Sequence, residues 1–137
     1  MDTKKSEFLV FGDPHLEEED IQEVVRALRS GWIGTGPRVL EFEKQFSEYK
    51  DTSHAIAVAS CTAALQLSLM AEGLQSTDEV ITTSMTFGAT VNAIIHAGAR
   101  PVLVDVDPIT FNLDPKLVAN AITPKTRAIL VMHLAGH

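Results

Sequence analysis

Two stretches near the start of the chain repeat their apolar residues at the spacing of an α-helix. Between Glu17 and Ser30, apolar residues recur every three or four positions, and acidic residues crowd the first turn, where a helix dipole favours negative charge. Gly31 ends this pattern, and a glycine-rich loop leads to the second stretch, Arg38 to Lys50. The pattern therefore predicts two amphipathic helices joined by a loop.

Beyond residue 50 the pattern changes to short apolar runs that alternate with helical stretches. Such alternation is typical of βαβ units and a largely parallel sheet. The predicted helices are Thr62 to Glu72, which is apolar nearly all round and therefore expected to be buried, Gly88 to His96 and Pro115 to Ile122. The predicted strands are His54 to Val58, Glu79 to Thr83, Arg100 to Val104 and Arg127 to Met132. The predicted fold is α/β, with three layers and a mainly parallel sheet that carries helices on both faces.

Composition narrows the class of protein. The net charge is −7 and the 11 basic residues are scattered, so we expect no nucleic-acid partner. The single Cys61 excludes an internal disulfide framework, and the polar start, Met1 to Glu7, lacks the apolar core of a signal peptide. No apolar run approaches the roughly 18 to 20 residues needed to span a bilayer. These observations predict a cytoplasmic protein with no membrane segment.

The turn Ser60 to Ala63 is the first candidate site. It follows an apolar run and opens a predicted helix, whose first backbone N–H groups have no partner within the helix. Those groups and the positive end of the dipole favour phosphate, and the hydroxyl of Thr62 adds a donor. The alternative is an ordinary helix cap, because Ser and Thr are preferred there with or without a ligand.

Three further features each have a functional and a structural interpretation. Phe87 lies among small hydroxyl residues after a predicted strand, where it can stack on a ligand or pack in the core. Trp32 and Ile33 are bulky residues in a glycine-rich loop, which either docks on its own core or reaches a partner subunit. Cys61 at a helix N-terminus can be a nucleophile, but no base lies near it in the sequence.

Metal binding is not expected. His133 and His137 are four residues apart, but they fall in a strand-to-loop passage where that spacing does not put them on one helix face. Asp105 and Asp107 precede Pro108 and are interpreted as turn formers instead of a catalytic pair.

Taken as an ordered set, several segments resemble the N-terminal part of the DegT/DnrJ/StrS family. The resemblance runs from Phe11 to His137 and is carried by Ser30 to Pro37 (SGWIGTGP), Ser60 to Leu65 (SCTAAL), Asp78 to Thr82 (DEVIT), Thr86 to Thr90 (TFGAT), Ala97 to Asp107 (AGARPVLVDVD), Ile122 to Thr126 (ITPKT) and His133 to His137 (HLAGH).

This resemblance implies a pyridoxal-5′-phosphate-dependent aminotransferase of fold type I. Members of the family move an amino group from an amino acid, commonly glutamate or glutamine, to a nucleotide-linked keto sugar, and a homodimer is expected. By the resemblance, Thr62 and the backbone of Ala63 bind the cofactor phosphate, Phe87 stacks on the pyridine ring, and His137 lies close to the cofactor.

The resemblance also assigns regions. Residues 1–50 would form an N-terminal helical segment, with Trp32, Ile33 and Gly34 in an active-site loop at the dimer interface, and residues 51–137 the first part of the cofactor-binding large domain. The family usually has Gly where Cys61 stands. The lysine that binds the cofactor covalently is expected beyond His137, so we expect no catalytic residue in this chain, and the isolated segment to be inactive and to fold poorly.

Two other functions fit the same residues. One is a cofactor-dependent sugar dehydratase of the same family, in which another residue replaces the lysine. The other is a binding or regulatory module that keeps the fold without the chemistry. An unrelated βαβ nucleotide-binding domain is disfavoured, because Val39 stands where a third glycine of the dinucleotide fingerprint would be.

Overall fold

The computed structural model describes residues 12–136; His137 lies outside this range. The secondary structure, in chain order, is α1 (Glu18–Arg29), α2 (Pro37–Lys50), α3 (Cys61–Ala71), β1 (Glu79–Thr83), α4 (Gly88–His96), β2 (Arg100–Val104), α5 (Pro115–Ala121), β3 (Thr126–Ile129) and a short 3-10 helix (Leu134–Gly136). These elements fall into two compact units, divided between Ala57 and Val58. Within residues 12–136, no helix combines the length and the apolar character needed to cross a membrane.

The first unit contains α1 and α2, and both predicted helices are confirmed. Glu23 of α1 links them, since its carboxylate accepts a 2.7 Å hydrogen bond from Arg38 of α2 and another from Arg26. The hydrogen bond from Arg26 lowers the pKa of Glu23, and the charges of both arginines act in the same direction. The carboxylate of Glu43 in α2 accepts a 2.8 Å hydrogen bond from the amide of Ala57, which connects α2 to the end of this unit.

The second unit is built on a three-stranded parallel sheet in the order β2-β1-β3. In the central strand, the residues from Val80 to Thr83 are fully buried. The chain crosses from β1 to β2 through α4. It then crosses from β2 to β3, on the other side of β1, through α5. Because crossovers between parallel strands are right-handed, steps in opposite directions put their helices on opposite faces. The predicted three-layer α/β fold is confirmed.

The main core of this unit lies between the sheet and the pair α3 and α4. It consists of Leu69, Leu74, Val80, Ala93, Ile94 and Ala99. The expectation that α3 is buried all round is wrong, because Leu69 is its one buried residue, whereas Leu67 and Met70 are 51% and 52% exposed. α3 packs against α4 with one face, and its other face is exposed within this unit.

The predicted strand His54 to Val58 is also wrong. These residues form no strand, and the side chain of Ile56 is 81% exposed. A strand exists only where a neighbour supplies hydrogen bonds, and within residues 12–136 the sheet holds β1, β2 and β3 alone. The predicted strand Arg127 to Met132 is confirmed only in its first part, since β3 ends at Ile129.

Candidate functional site

The first turn of α3 is the segment in which the sequence predicts a phosphate site. Ser60 is the N-cap, with an extended backbone, and its carbonyl oxygen accepts the 3.0 Å bond from Ala64 that starts the helix. Within the described residues, the amides of Cys61 and Thr62 have no protein acceptor. Both residues are exposed. Two N–H groups at the positive end of a helix dipole are therefore open to a ligand, and the exposed residue Thr62 carries a hydroxyl group in the same turn.

The amide of Ala63 differs from its neighbours. It donates a 3.1 Å hydrogen bond to the hydroxyl of Ser60. This is the usual N-cap geometry, so Ser60 caps the helix as the structural interpretation predicts, and the amides of Cys61 and Thr62 remain without an acceptor among the described residues. A ligand bound by the Ala63 amide would have to share that proton with Ser60.

The topology brings this helix start to the carboxyl edge of the sheet. A short connection, residues 72–78, joins the end of α3 to the start of β1, and we infer from it that the two elements run antiparallel. Residues 84–87 then lead from the end of β1 into α4, which packs against α3. Both helices thus begin at the edge where open parallel sheets bind ligands.

Phe87 stands at this edge as the N-cap residue of α4. Its carbonyl oxygen accepts a 2.9 Å hydrogen bond from the amide of Thr90, and its ring is 82% exposed. The hydroxyl groups of Thr86 and Thr90 are hydrogen-bonded at 2.8 Å, and the amide of Met85 donates to the hydroxyl of Thr83 at 3.0 Å. The loop is therefore fixed by its threonines, and the core interpretation of Phe87 does not hold.

The donor set fits the phosphate of pyridoxal phosphate. Phosphate needs N–H or O–H donors and positive potential, and the residues Cys61 and Thr62 supply two amides, a hydroxyl and a helix terminus. An aromatic ring that is not used in the core, Phe87, is available at the same sheet edge. Among residues 12–136, no group of three or more His, Cys, Asp or Glu side chains is placed to hold a metal ion.

A second loop region at this edge connects β2 to α5. The carboxylate of Asp107 accepts hydrogen bonds from the amides of Ile109 and Thr110 at 2.9 and 2.8 Å, and these bonds, the one from Thr110 foremost, lower its pKa. Val106 and Leu113 pair as an antiparallel bridge across the loop. The interpretation of Asp107 as a turn former is confirmed.

Sequence reasoning missed Asn112 in this loop. Its carboxamide oxygen accepts a 2.8 Å hydrogen bond from the amide of Leu134, 22 positions along the chain. Asn112 sits in a turn-forming stretch where a local role is the ordinary expectation, and no spacing in the sequence indicates a partner so far away. Thr82 was missed for the same reason, since its hydroxyl donates to the carbonyl oxygen of Leu130 at 2.8 Å.

The loop of Trp32, Ile33 and Gly34 lies in the first unit. The indole of Trp32 donates a 2.8 Å hydrogen bond to the carbonyl oxygen of Thr35, and the hydroxyl of Ser30 accepts one from the Trp32 amide at 3.1 Å. Trp32 and Ile33 are 58% and 79% exposed. The loop is thus ordered by its own hydrogen bonds and presents two large apolar side chains.

Comparison with known proteins identifies the relatives of this chain. The model of the DegT/DnrJ/EryC1/StrS aminotransferase family matches residues 14–137. The spore coat polysaccharide biosynthesis protein SpsC of Bacillus subtilis is 47% identical over 133 residues, which are 97% of this chain and 34% of SpsC. The chain therefore spans about a third of the length of this relative.

Solved structures of an aminotransferase also match this chain. Spr1654 of Streptococcus pneumoniae, assigned as a sugar aminotransferase, matches in its PMP form with a TM-score of 0.80 and 43% identity over 90% of this chain and 31% of that one. In its PLP form it matches with a TM-score of 0.78 and 44% identity, over 88% of this chain and 31% of that one. The expected fold type and the expected pyridoxal phosphate cofactor are confirmed for the family.

Proposed function

Since the chain belongs to the DegT/DnrJ/EryC1/StrS aminotransferase family, we propose that the complete protein is a pyridoxal-5′-phosphate-dependent aminotransferase. It moves an amino group from glutamate or glutamine to a nucleotide-linked keto sugar. The observation that carries the proposal is the start of α3, where Cys61 and Thr62 offer amides without protein acceptors beside an exposed hydroxyl.

The proposed role of the residues in this chain is to bind pyridoxal phosphate and to orient it. In the proposal, the amides of Cys61 and Thr62 and the Thr62 hydroxyl hold the phosphate, and the Ala63 amide joins them when it turns from the Ser60 hydroxyl oxygen to the phosphate. Phe87 lies against the pyridine ring and fixes its plane, and His137 lies close to the cofactor. When bound, pyridoxal phosphate supplies the carbonyl group and the electron sink that amino transfer requires. The lysine that binds it covalently is expected beyond His137.

A homodimer in the cytoplasm is part of the same proposal. The ordered loop with exposed Trp32 and Ile33, and Gly34 beside them, supports a role at the dimer interface near the active site, because large apolar side chains held rigidly outward are typical of interaction sites. The cytoplasm suits the exposed thiol of Cys61, which a reducing environment keeps free.

Cofactor titration of the complete protein tests the phosphate seat. We expect visible absorbance from bound pyridoxal phosphate in the wild type, and Thr62→Val to weaken its binding roughly tenfold or more, since one charge-assisted hydrogen bond is lost. Thr62→Ser keeps the hydroxyl and is expected to bind within about threefold of the wild type. Ser68→Ala, a hydroxyl deletion at an exposed site on the same helix, is the matched control.

The reaction is tested with the same protein. Transfer of the amino group of glutamate or glutamine to a nucleotide-linked keto sugar supports the proposal. Elimination of water without amino transfer would identify the dehydratase alternative. A complete protein that binds no pyridoxal phosphate would contradict both and leave the binding module.

A further inference from the structure

The segment that follows β3 is held at two points. At its start, the amide of Leu130 donates to the carbonyl oxygen of Ile81 at 2.8 Å, and the hydroxyl of Thr82 donates to the carbonyl oxygen of Leu130 at the same distance. Four residues on, the amide of Leu134 donates to the carboxamide oxygen of Asn112 at 2.8 Å. The first anchor belongs to the central strand and the second to the loop after β2.

Asn112 is itself fixed, which makes it a rigid acceptor. Its side-chain NH₂ donates to the carbonyl oxygen of Thr110 at 3.3 Å, and its carbonyl oxygen accepts from the amide of Asp107 at 2.9 Å. The Asp107 carboxylate holds Thr110 in turn, through both its amide and its hydroxyl. The loop is therefore organised around Asp107, and the Asn112 oxygen has one defined position.

The turn that Asn112 holds is strained. Ala135 has φ 52°, in the left-handed region that a residue with a Cβ disfavours, whereas the φ of 75° at Gly136 carries no such cost. Ala135 is exposed, so core packing does not enforce this conformation. Such a backbone persists only where surrounding contacts determine it, and the bond from Leu134 to Asn112 is a contact immediately before the strained residue.

We infer that Asn112 is a positioning residue for the cofactor site. By fixing Leu134 it sets the turn Leu134–Gly136, and the next residue is His137, which the proposed function puts beside the cofactor. This inference rests on that proposed function. Asn112 needs no contact with the cofactor, because it acts through the backbone of the turn at the carboxyl edge of the sheet.

The test uses three variants of the complete protein. Asn112→Ala removes the acceptor, whereas Asn112→Asp keeps an acceptor oxygen for Leu134, replaces the donor to Thr110 with a second oxygen and adds a negative charge. Asn120→Ala, at an exposed position on α5, is the matched control. Hydrogen exchange of residues 130–136 is measured without cofactor, and pyridoxal phosphate affinity is measured separately.

We expect Asn112→Ala to speed exchange at Leu134 and to weaken pyridoxal phosphate binding, each roughly three- to tenfold, as the loss of one hydrogen bond predicts. Asn112→Asp is expected to restore both to within about twofold of the wild type, and Asn120→Ala to change neither. Unchanged exchange in Asn112→Ala would overturn the inference, and so would faster exchange with unchanged cofactor affinity. If Asn112→Ala does not fold, an Asn112→Asp protein that binds cofactor tenfold more weakly than the wild type would overturn it.

The outcome for the wild type separates this inference from the function it rests on. A wild-type protein that binds no pyridoxal phosphate refutes the proposed function. A wild type that binds it, with an Asn112→Ala variant that binds it equally well, refutes the positioning role alone.

Discussion

The indole ring of Trp32 occupies the space beside Gly36 in which any other residue would carry its Cβ. An ideal Cβ built on Gly36 would lie 2.6 Å from Cδ1 of the ring and closer still to the indole nitrogen. The backbone of Gly36 is extended, with φ 174°, so the glycine is required by this close approach and not by its dihedral angles. The loop of Trp32, Ile33 and Gly34 is therefore built around a tryptophan folded back on the start of α2.

Gly36→Ala is expected to displace the Trp32 ring and break its hydrogen bond to Thr35. Overpacking of this kind costs about 1 to 3 kcal/mol unless the side chain moves away. Hydrogen exchange of residues 31–36 in the complete protein should increase. Gly34→Ala is the control, since a Cβ there meets nothing within 4 Å and its φ is ordinary. Equal exchange in the two variants would show that Trp32 does not order the loop.

Ser60 allows the helix cap to be separated from the phosphate seat. Ser60→Ala removes the acceptor for the Ala63 amide and should lower the free energy of unfolding by about 1 kcal/mol. Ser60→Asp keeps a good cap but adds a negative charge beside the proposed phosphate position, so we expect near wild-type stability with pyridoxal phosphate affinity at least tenfold weaker. Denaturation and cofactor titration measure the two effects. Tight cofactor binding by Ser60→Asp would place the phosphate elsewhere.

Thr82→Val tests the anchor at the start of the segment after β3. Thr82 is fully buried, and valine matches its shape without the hydroxyl that donates to Leu130. The lost bond should cost about 1 to 3 kcal/mol and speed hydrogen exchange in residues 130–133. Thr83→Val is the matched control: it is equally buried, but its hydroxyl serves Met85, so exchange should change at Met85 instead. The same exchange pattern in both variants would contradict this assignment.

The lowered pKa of Asp107 predicts that the stability of the protein depends on pH through this loop. Its hydrogen bonds from Thr110 and Ile109 favour the carboxylate, so its pKa lies below the ordinary 3.8. A group with a lowered pKa stabilises the folded state above its ordinary value, and that stabilisation is lost as pH falls through the lowered one. Asp107→Asn should therefore melt below the wild type near neutral pH, with the gap closing below pH 3.8. Asp13→Asn, at an exposed position, is the control, and a gap that does not vary with pH would contradict the prediction.

Local pattern was sufficient for most of the elements. Gly88 to His96, Glu79 to Thr83 and Arg100 to Val104 were predicted with the boundaries that the structure has. In each of these cases the deciding signals lie within the segment: helical spacing, or an apolar run short enough for a buried strand. Similarly, the hydroxyl-rich turn before Thr62 predicted the helix start and its donors, because helix capping is a local property.

The errors share a cause outside the segments themselves. His54 to Val58 has the composition of a strand but no neighbour to pair with, and strand formation depends on that neighbour. The apolar residues of α3 predicted burial on all sides, whereas burial also depends on what lies opposite each face. The link between Asn112 and Leu134 is of the same kind, since it exists only after the fold has brought two distant loops together.

Substitutions of Phe87 should affect folding and ligand binding differently. Its contribution to the fold is a backbone carbonyl that any residue can supply, and its ring is 82% exposed. A saturation library at position 87 can be sorted first for folded protein and then for binding of pyridoxal phosphate. The two selections should accept different sets of side chains. The first would accept nearly all side chains, and the second would keep the aromatic ones, because only the second depends on a flat ring.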